Sequence, residues 1–480
     1  MSTPLILPKL FSDHMVLQRD QVVPIWGTAA PGAKITVTFR EQEKTTSADA
    51  DGKWSVKLDP LSLGEPAELK VNTVTIKDVL VGEVWLGSGQ SNMAAGYPGN
   101  DTSPTATVLP LPTIRLFGGA WKAATASTCA GFSAIMVHFG VRLHQELHVP
   151  IGLLCGAQGG TSSGPWVPED DFNEDPTCKA VAKQLSRPAL TVTRGKLGEC
   201  YEQHIRRLVG YGIRGVVWDQ GEGGAGLEEI DQYTMMTILI RSWRKAWGQG
   251  DFPFLYVQKP SGLGCAWDDS NPVTALGERF TALPKAVPRT ILGEVDQGSG
   301  LTGHGLYRPM KNMLGTGDGP SGMTRDDAIA CLKLMDFPNT GMAISSDLGA
   351  GLHPQNKFGY GNRVAQVALG KVYGRQLEYY GPVYASHQVD GNTMRVKFTH
   401  IGQGLAFRHG EHLQGFAVAG SDKSFQWADA VIVGDTVVVT GRDVAQPKFV
   451  RYAWSHNRQW ANLFNKDGLP AVPFRTDGDD

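Results

Sequence analysis

A chain of 480 residues is too long for one ordinary core, so two or three domains are expected. Apolar residues make up 41%, charged residues 19%, and glycines number 59, which is the profile of a turn-rich globular protein with ample sequence to bury. A formal net charge of −2 with no block of like charges excludes a nucleic-acid or membrane-surface footprint and favours a small neutral or weakly acidic ligand.

The opening MSTPLILPKLF lacks the basic flank and apolar core of about 7–15 residues that mark a leader, so none is expected there. No stretch approaches about 18 uninterrupted apolar residues, and no membrane span is expected. Over residues 10–80, short runs of alternating character (VVPIWG, KITVTF, KWSVKL, NTVTIK) are separated by APGA, DADG and LGEP turns. This predicts an all-β module at 1–80.

From residue 81 the pattern changes to apolar runs separated by helical segments: VGEVWLGSG, AGFSAIMVHFGVRLHQEL, VPIGLLCGAQGG, GIRGVVWDQGE, TMMTILIRSWRKAWG and FPFLYVQ. TGMAISSD and NRVAQVALGKVYG continue it. Strands alternating with helices predict an α/β domain at 81–375, its parallel sheet covered on both faces. Short strands return in TMRVKFTH, GFAVAG, DAVIVGDTVVVTG and FVRYAWS, which predicts a C-terminal β module at 376–480. Loops 97–113 and 262–325 are long and rich in Gly, Pro, Asp and Ser, as functional loops often are.

In open α/β sheets the ligand lies outside the carboxyl ends of the strands. Those ends carry Gln90-Ser91-Asn92 after VWLGSG, Gly159-Gly160-Thr161 after IGLLCGA, Gln220-Gly221-Glu222 after GVVWD, and Asp347 after MAISS, with His353-Pro354 six residues on. These are the parts acyl transfer needs. A serine hydroxyl attacks once a base takes its proton, and the tetrahedral oxyanion needs fixed donors. Ser91 is the candidate nucleophile and His353 the candidate base, since an imidazole titrates nearest neutrality. Backbone N–H groups of Ser91, Gly159 and Gly160, with the Gln220 amide, are candidate oxyanion donors.

Other features read more plainly. The six cysteines show no C-x-x-C spacing, and Cys178 and Cys200 are a candidate pair if the protein is exported. HQELH at 144–148 has metal-capable histidine spacing but not the zincin order, and it reads as a surface pair. GTGDGPSG at 315–322 lacks the lysine and hydroxyl of a phosphate loop.

GEVWLGSGQSNM, IGLLCGAQGGTSSGPW, VVWDQGE and HPQNK resemble the four blocks of the sialate O-acetylesterase family, carbohydrate esterases of the SGNH-hydrolase type. LFSDHMVLQR and VRYAWSHNRQWANLFNKDGLPAVPFRT resemble its flanks, so the likeness spans almost the whole chain. It implies a three-layer SGNH-hydrolase-like domain between β-sandwich-like modules, and removal of acetyl groups from sugar hydroxyls without a metal or organic cofactor. The implied partner is an acetylated sugar or glycan. The family also suggests a secreted or periplasmic setting.

Carried over by position, Ser91 is nucleophile and His353 base, Gly159, Gly160 and Gln220 surround the oxyanion, and Gln90 and Asn92 orient the serine loop, with the sugar as a further candidate contact. GAGLH lacks the acid that related esterases carry just before the histidine, so the third member is either Asp347 or absent, leaving a Ser–His dyad. Gly164, Asp219 and Gly223 depart from the family pattern around the substrate, which keeps acetylated xylan or xyloglucan open beside sialic acid.

Blander readings stand beside these. Ser91 alone reads as a turn residue, His353 before proline as a helix-start residue, and Asp347 as a cap or loop anchor. Glu222 reads as support for the Gln220 loop, and Trp166 as packing or as a sugar-pocket wall. A catalytically weakened glycan-binding protein is the reading from another class.

Overall fold

The computed structural model describes residues 4–186, 192, 195–220, 224–227, 229–258, 325–348, 353–354, 356–408, 410–441, 443–454 and 461–478. The chain divides into two compact units, Met1–Tyr256 with Leu334–Gly341 and Val257–Lys333 with Met342–Asp480.

The first unit begins with strands β1 (Val16–Gln18), β2 (Val23–Thr28), β3 (Lys34–Phe39), β4 (Gln42–Ser47), β5 (Lys53–Leu58) and β6 (Ala67–Val71). Their alternation does what the sequence asked of it. In β5 Trp54, Val56 and Leu58 are buried while Lys53, Ser55 and Lys57 face water. β2 pairs with β5, and β3 lies between β4 and β6, all antiparallel.

The next strand, β7 (Val74–Gly89), is sixteen residues long and has two roles. Its first part pairs antiparallel with β6, and Leu80–Gly82 pair parallel with β1. Its last part is the centre of a parallel sheet. With β8 (Leu111–Phe117), β9 (Trp121–Ala124), β10 (Ile151–Ala157), β11 (Gly215–Asp219) and β12 (Phe254–Val257), the order is β12-β11-β7-β10-β8-β9, and only the edge strand β9 is antiparallel. Every residue of β11 is buried, as a strand covered on both faces must be.

Glycines let the helices approach. On one face, helix Ala134–Leu147 lies so close that a Cβ on Gly87 would sit 2.5 Å from Met136 Cγ, and one on Gly140 2.7 Å from Leu153 Cδ1. Trp218 is in register with Ser88, one residue on from Gly87, and so projects from the opposite face. There it meets Trp243 of helix Gln232–Trp247, edge to face at 5.9 Å.

One buried charge ties the amino-terminal strands to this sheet. Glu83 is fully buried and accepts hydrogen bonds from Arg19 Nε at 2.5 Å, Arg214 Nε at 2.7 Å and Gln18 Nε2 at 3.1 Å. Gln18 Oε1 in turn accepts the Val84 N–H at 2.7 Å. The LQR and GEV segments are therefore two halves of one anchor.

In the second unit, β13 (Thr340–Ala343) ends beside Gln258, whose N–H donates to the Ala343 carbonyl at 2.8 Å. Helix Lys357–Lys371 follows, capped by Asn356. The rest is antiparallel: β14 (Val383–Asp390), β15 (Thr393–Thr399), β16 (Leu405–Phe407), β17 (Phe416–Ala419), β18 (Gln426–Val433), β19 (Thr436–Gly441), β20 (Phe449–Tyr452), β21 (Leu463–Asn465) and β22 (Phe474–Arg475). The main sheet runs β14-β15-β19-β18-β17-β20-β22 and β16 pairs with β21. Val396, Phe416, Val437, Val439, Tyr452 and Phe474 are among its core residues. Both strand-rich regions and the parallel α/β sheet between them match the expected fold class.

One expectation changes. Cys178 and Cys200 are free thiols, both buried, and do not pair. His144 is half-buried with its Nδ1 2.8 Å from the Val149 carbonyl oxygen, so it is committed to its own loop, while His148 is the left-handed residue ending the helix. Among the described residues no helix is long and apolar enough to cross a membrane.

Candidate active site

The site in the first unit is built where β7, β10 and β11 end together. Gly89 is in register with Ala157 on one side and Asp219 on the other. It adopts φ +129°, and a Cβ there would lie 2.1 Å from the Asp219 carbonyl oxygen, so only glycine fits. That close approach lets the Gln90 N–H donate to the Asp219 carbonyl at 2.9 Å while the Gln158 N–H donates to the Gly89 carbonyl at 3.0 Å. The chain then turns at once into the short helix Ser91–Ala94. Gln90 and Asn92 are buried on either side, and Ser91 is left half-buried between them. The flanking amides thus belong to the interior, while Ser91 is partly open to the surface.

Gly159 faces that serine. A Cβ on Gly159 would be 3.4 Å from Ser91 Cβ and 3.6 Å from its Cα. Gly160 has φ +78° and open space beyond its Cα. Both glycines are exposed, and among the described residues neither N–H is given to a protein acceptor. Two N–H groups of a turn packed on a serine are free to receive a ligand oxygen.

Side chains beneath the turn hold it. The Thr161 hydroxyl donates to the Gln158 carbonyl at 3.0 Å and accepts from Trp166 Nε1 at 3.0 Å. Trp166 is fully buried and packs edge to face with Trp218 at 5.8 Å. Gln220 is also buried. Its Nε2 lies 3.4 Å from both the Thr161 and Gly224 carbonyl oxygens, and its Oε1 accepts from the Ser163 hydroxyl. Gln232 Nε2 donates to that same hydroxyl at 3.0 Å. Gln220 therefore ties the end of β11 to the 161–163 strip. Glu222 lies outside the described residues.

The 97–113 loop is pinned by its own polar groups. Asp101 accepts from Tyr97 Oη at 2.5 Å and from Ser103 Oγ at 2.6 Å. The buried His138 places Nδ1 2.8 Å from Thr105 Oγ1. Burial pushes the His138 imidazole down to about 4, against the pull of the Asp101 carboxylate.

In the second unit, Asn356 Oδ1 accepts from the Gly359 N–H at 2.7 Å, and Lys357 Nζ donates to the Pro354 carbonyl at 2.7 Å. The helix is thus capped by Asn356, three residues beyond His353, whose exposed side chain is not the cap. Asp347 is fully enclosed. Arg363 reaches its two oxygens with Nη1 at 3.2 Å and Nη2 at 2.9 Å, and also donates to the Ile344 carbonyl at 3.1 Å. Asp347 is therefore half of a bidentate buried ion pair that fixes the chain leaving β13. Arg363 was invisible as a partner in the sequence, although a cation within the apolar face of NRVAQVALGK was the available signal.

Residues 81–279, which contain the whole of the first-unit site, match the family model for carbohydrate esterase, sialic acid-specific acetylesterase. Sialate O-acetylesterases of Pongo abelii and Homo sapiens are each 32% identical over 301 residues, 52% of this chain and 56% of theirs. The chain thus spans little more than half the length of these relatives. A solved carbohydrate acetylesterase from Xanthomonas citri is 30% identical, with a TM-score of 0.76 over 99% of this chain and 100% of its own. These matches point to the carbohydrate esterases. The chain belongs to the carbohydrate acetylesterases.

Proposed function

We propose that this protein is a serine carbohydrate O-acetylesterase, hydrolysing acetyl esters of sugar hydroxyls through an acetyl-Ser91 intermediate. The observation that carries the reading is the half-buried Ser91 at the end of β7 with the exposed Gly159-Gly160 turn packed on it. Ser91 Oγ attacks the acetyl carbonyl carbon as His353 takes its proton. The oxyanion is received by the N–H groups of Ser91, Gly159 and Gly160, each such donor stabilising the transition state by roughly 3–4 kcal/mol. His353 then returns the proton to the departing sugar oxygen, and a water deprotonated by His353 releases acetate. Gln220 serves this site through the loop it braces. Because Asp347 is occupied by Arg363, we assign it to holding the chain that leads to His353, and the working pair is a Ser–His dyad.

The test is mass spectrometry after fluorophosphonate treatment, with hydrolysis of 4-nitrophenyl acetate by wild type and Ser91→Ala. An adduct on Ser91, and a folded but inactive Ser91→Ala, support the reading. An adduct elsewhere, or a Ser91→Ala that keeps wild-type turnover, overturns it. Acetate release from O-acetyl sialic acid, acetylated xylan and acetylated xyloglucan then identifies the sugar. Glycan binding without turnover of any acetyl ester would favour a glycan-binding protein instead.

A further inference from the structure

The Gly159-Gly160 turn has little to hold it from within. No heavy atom lies within 4 Å of where a Gly160 Cβ would be, and paired glycines have the widest backbone freedom of any dipeptide. Donors that stabilise an oxyanion act only if their directions are set before the reaction. Something outside the turn must set them.

A closed ring of four side chains does so. Gln158, the residue before the turn, has Oε1 2.9 Å from His204 Nε2. The His204 ring lies on the Trp166 indole, centroids 5.7 Å apart and planes at 31°. Trp166 Nε1 donates to Thr161 Oγ1 at 3.0 Å, and Thr161 Oγ1 donates back to the Gln158 carbonyl at 3.0 Å. The ring starts and ends on the two residues that bracket the glycines.

His204 gets there by a local irregularity. Tyr201–Ile205 is a single turn of π-helix, and its backbone sits against Gly156 of β10, where a Cβ would be 3.0 Å from the His204 carbonyl oxygen. Gly156 is two residues before Gln158, so the imidazole comes off the π turn level with the Gln158 amide. Burial, with the nearby Arg207 charge, pushes the imidazole below its ordinary value, which favours the neutral ring, and a proton on Nε2 lets that ring donate to Gln158 Oε1.

We propose that His204 is a positioning residue for the esterase site: by holding the Gln158 amide and lying on Trp166, it fixes the direction of the Gly159 and Gly160 N–H groups. This rests on the assignment of Ser91 as nucleophile. It acts through the turn and touches no reacting atom, so its removal should lower kcat and leave KM nearly unchanged.

The experiment compares 4-nitrophenyl acetate kinetics and melting for wild type, His204→Phe, His204→Gln and Ser91→Ala. Phenylalanine keeps the ring on Trp166 and removes the donor, while glutamine keeps a donor at similar reach and removes the ring. His204→Phe should lose roughly tenfold in kcat, with KM within about twofold and melting close to wild type. His204→Gln should recover kcat to within about threefold. Wild-type kcat in His204→Phe, a raised KM at unchanged kcat, or a His204→Gln as slow as His204→Phe would each overturn the proposal. Ser91→Ala separates the two layers. If it is inactive while His204→Phe is normal, the nucleophile stands and the positioning role falls. If it stays active, the esterase reading itself falls.

Discussion

Asp347→Asn separates a structural carboxylate from a catalytic one. Asp347 and Arg363 have side chains 0% and 3% exposed, and both carboxylate oxygens are met by guanidinium nitrogens. Asparagine keeps the shape but removes the charge, and it turns one acceptor into an N–H2 group facing another donor. Arg363 is then a buried cation without its counter-ion, and breaking a buried pair in this way costs about 3–5 kcal/mol. At roughly 2–4 °C per kcal/mol for a unit of this size, the melting midpoint should fall by about 6–20 °C. Scanning calorimetry reads the shift. 4-Nitrophenyl acetate turnover, measured where the variant is still folded, reads the chemistry and should stay within about tenfold of wild type, far from the loss of roughly 10⁴ that follows removal of a triad carboxylate. A melting midpoint within about 2 °C of wild type, coupled to a loss near 10⁴ in kcat, would refute the reasoning and make Asp347 the third member of a triad.

Gly89→Ala puts a methyl 2.1 Å from the Asp219 carbonyl at φ +129°, so it should cost at least about 2 kcal/mol and move Ser91 enough to abolish most activity. Urea midpoints and esterase assays check both, and a wild-type profile would contradict the register drawn for β7 and β11. Glu83→Ala removes the acceptor shared by Arg19, Arg214 and Gln18, and about 3 kcal/mol should be lost in urea unfolding. His138 is neutral when folded, with a value near 4, whereas unfolded it protonates near 6.5. Stability present above pH 6.5 should therefore drain away as pH falls toward 4, by up to roughly 3 kcal/mol. His138→Gln should flatten that part of the profile, and an unchanged slope would show that another group titrates there.

The parts of the site legible in the sequence were those dictated by backbone geometry. A glycine after an apolar run, followed by a serine between two amides, marked a strand end, and the strand ends fall level because parallel pairing sets Gly89 beside Ala157 and Asp219. What side chains do after the turn was not legible. Gln220 reads from sequence as an oxyanion donor, and the contacts of its amide with the Thr161 and Gly224 carbonyls are set by the carbonyls that surround it, which no sequence pattern announces. Gln158 and His204 are 46 residues apart and meet only because a π turn rests on a glycine of β10, and no periodicity announces such a contact. Trp166 reads from sequence as core or pocket wall, with packing favoured, and it packs edge to face on Trp218.

The sixteen-residue strand β7 has a consequence for any attempt to miniaturise this protein. Its amino-terminal third is a hairpin partner of β6 and its carboxyl end leads into Ser91, so the accessory strands and the proposed nucleophile share one beam. Cutting the gene at residue 80 would saw that beam through, strip Glu83 of Arg19 and bare a sheet edge where Val16–Gln18 had lain. The amino-terminal strands are therefore no detachable appendage, and shuffling them between relatives should succeed only when the whole beam travels with them.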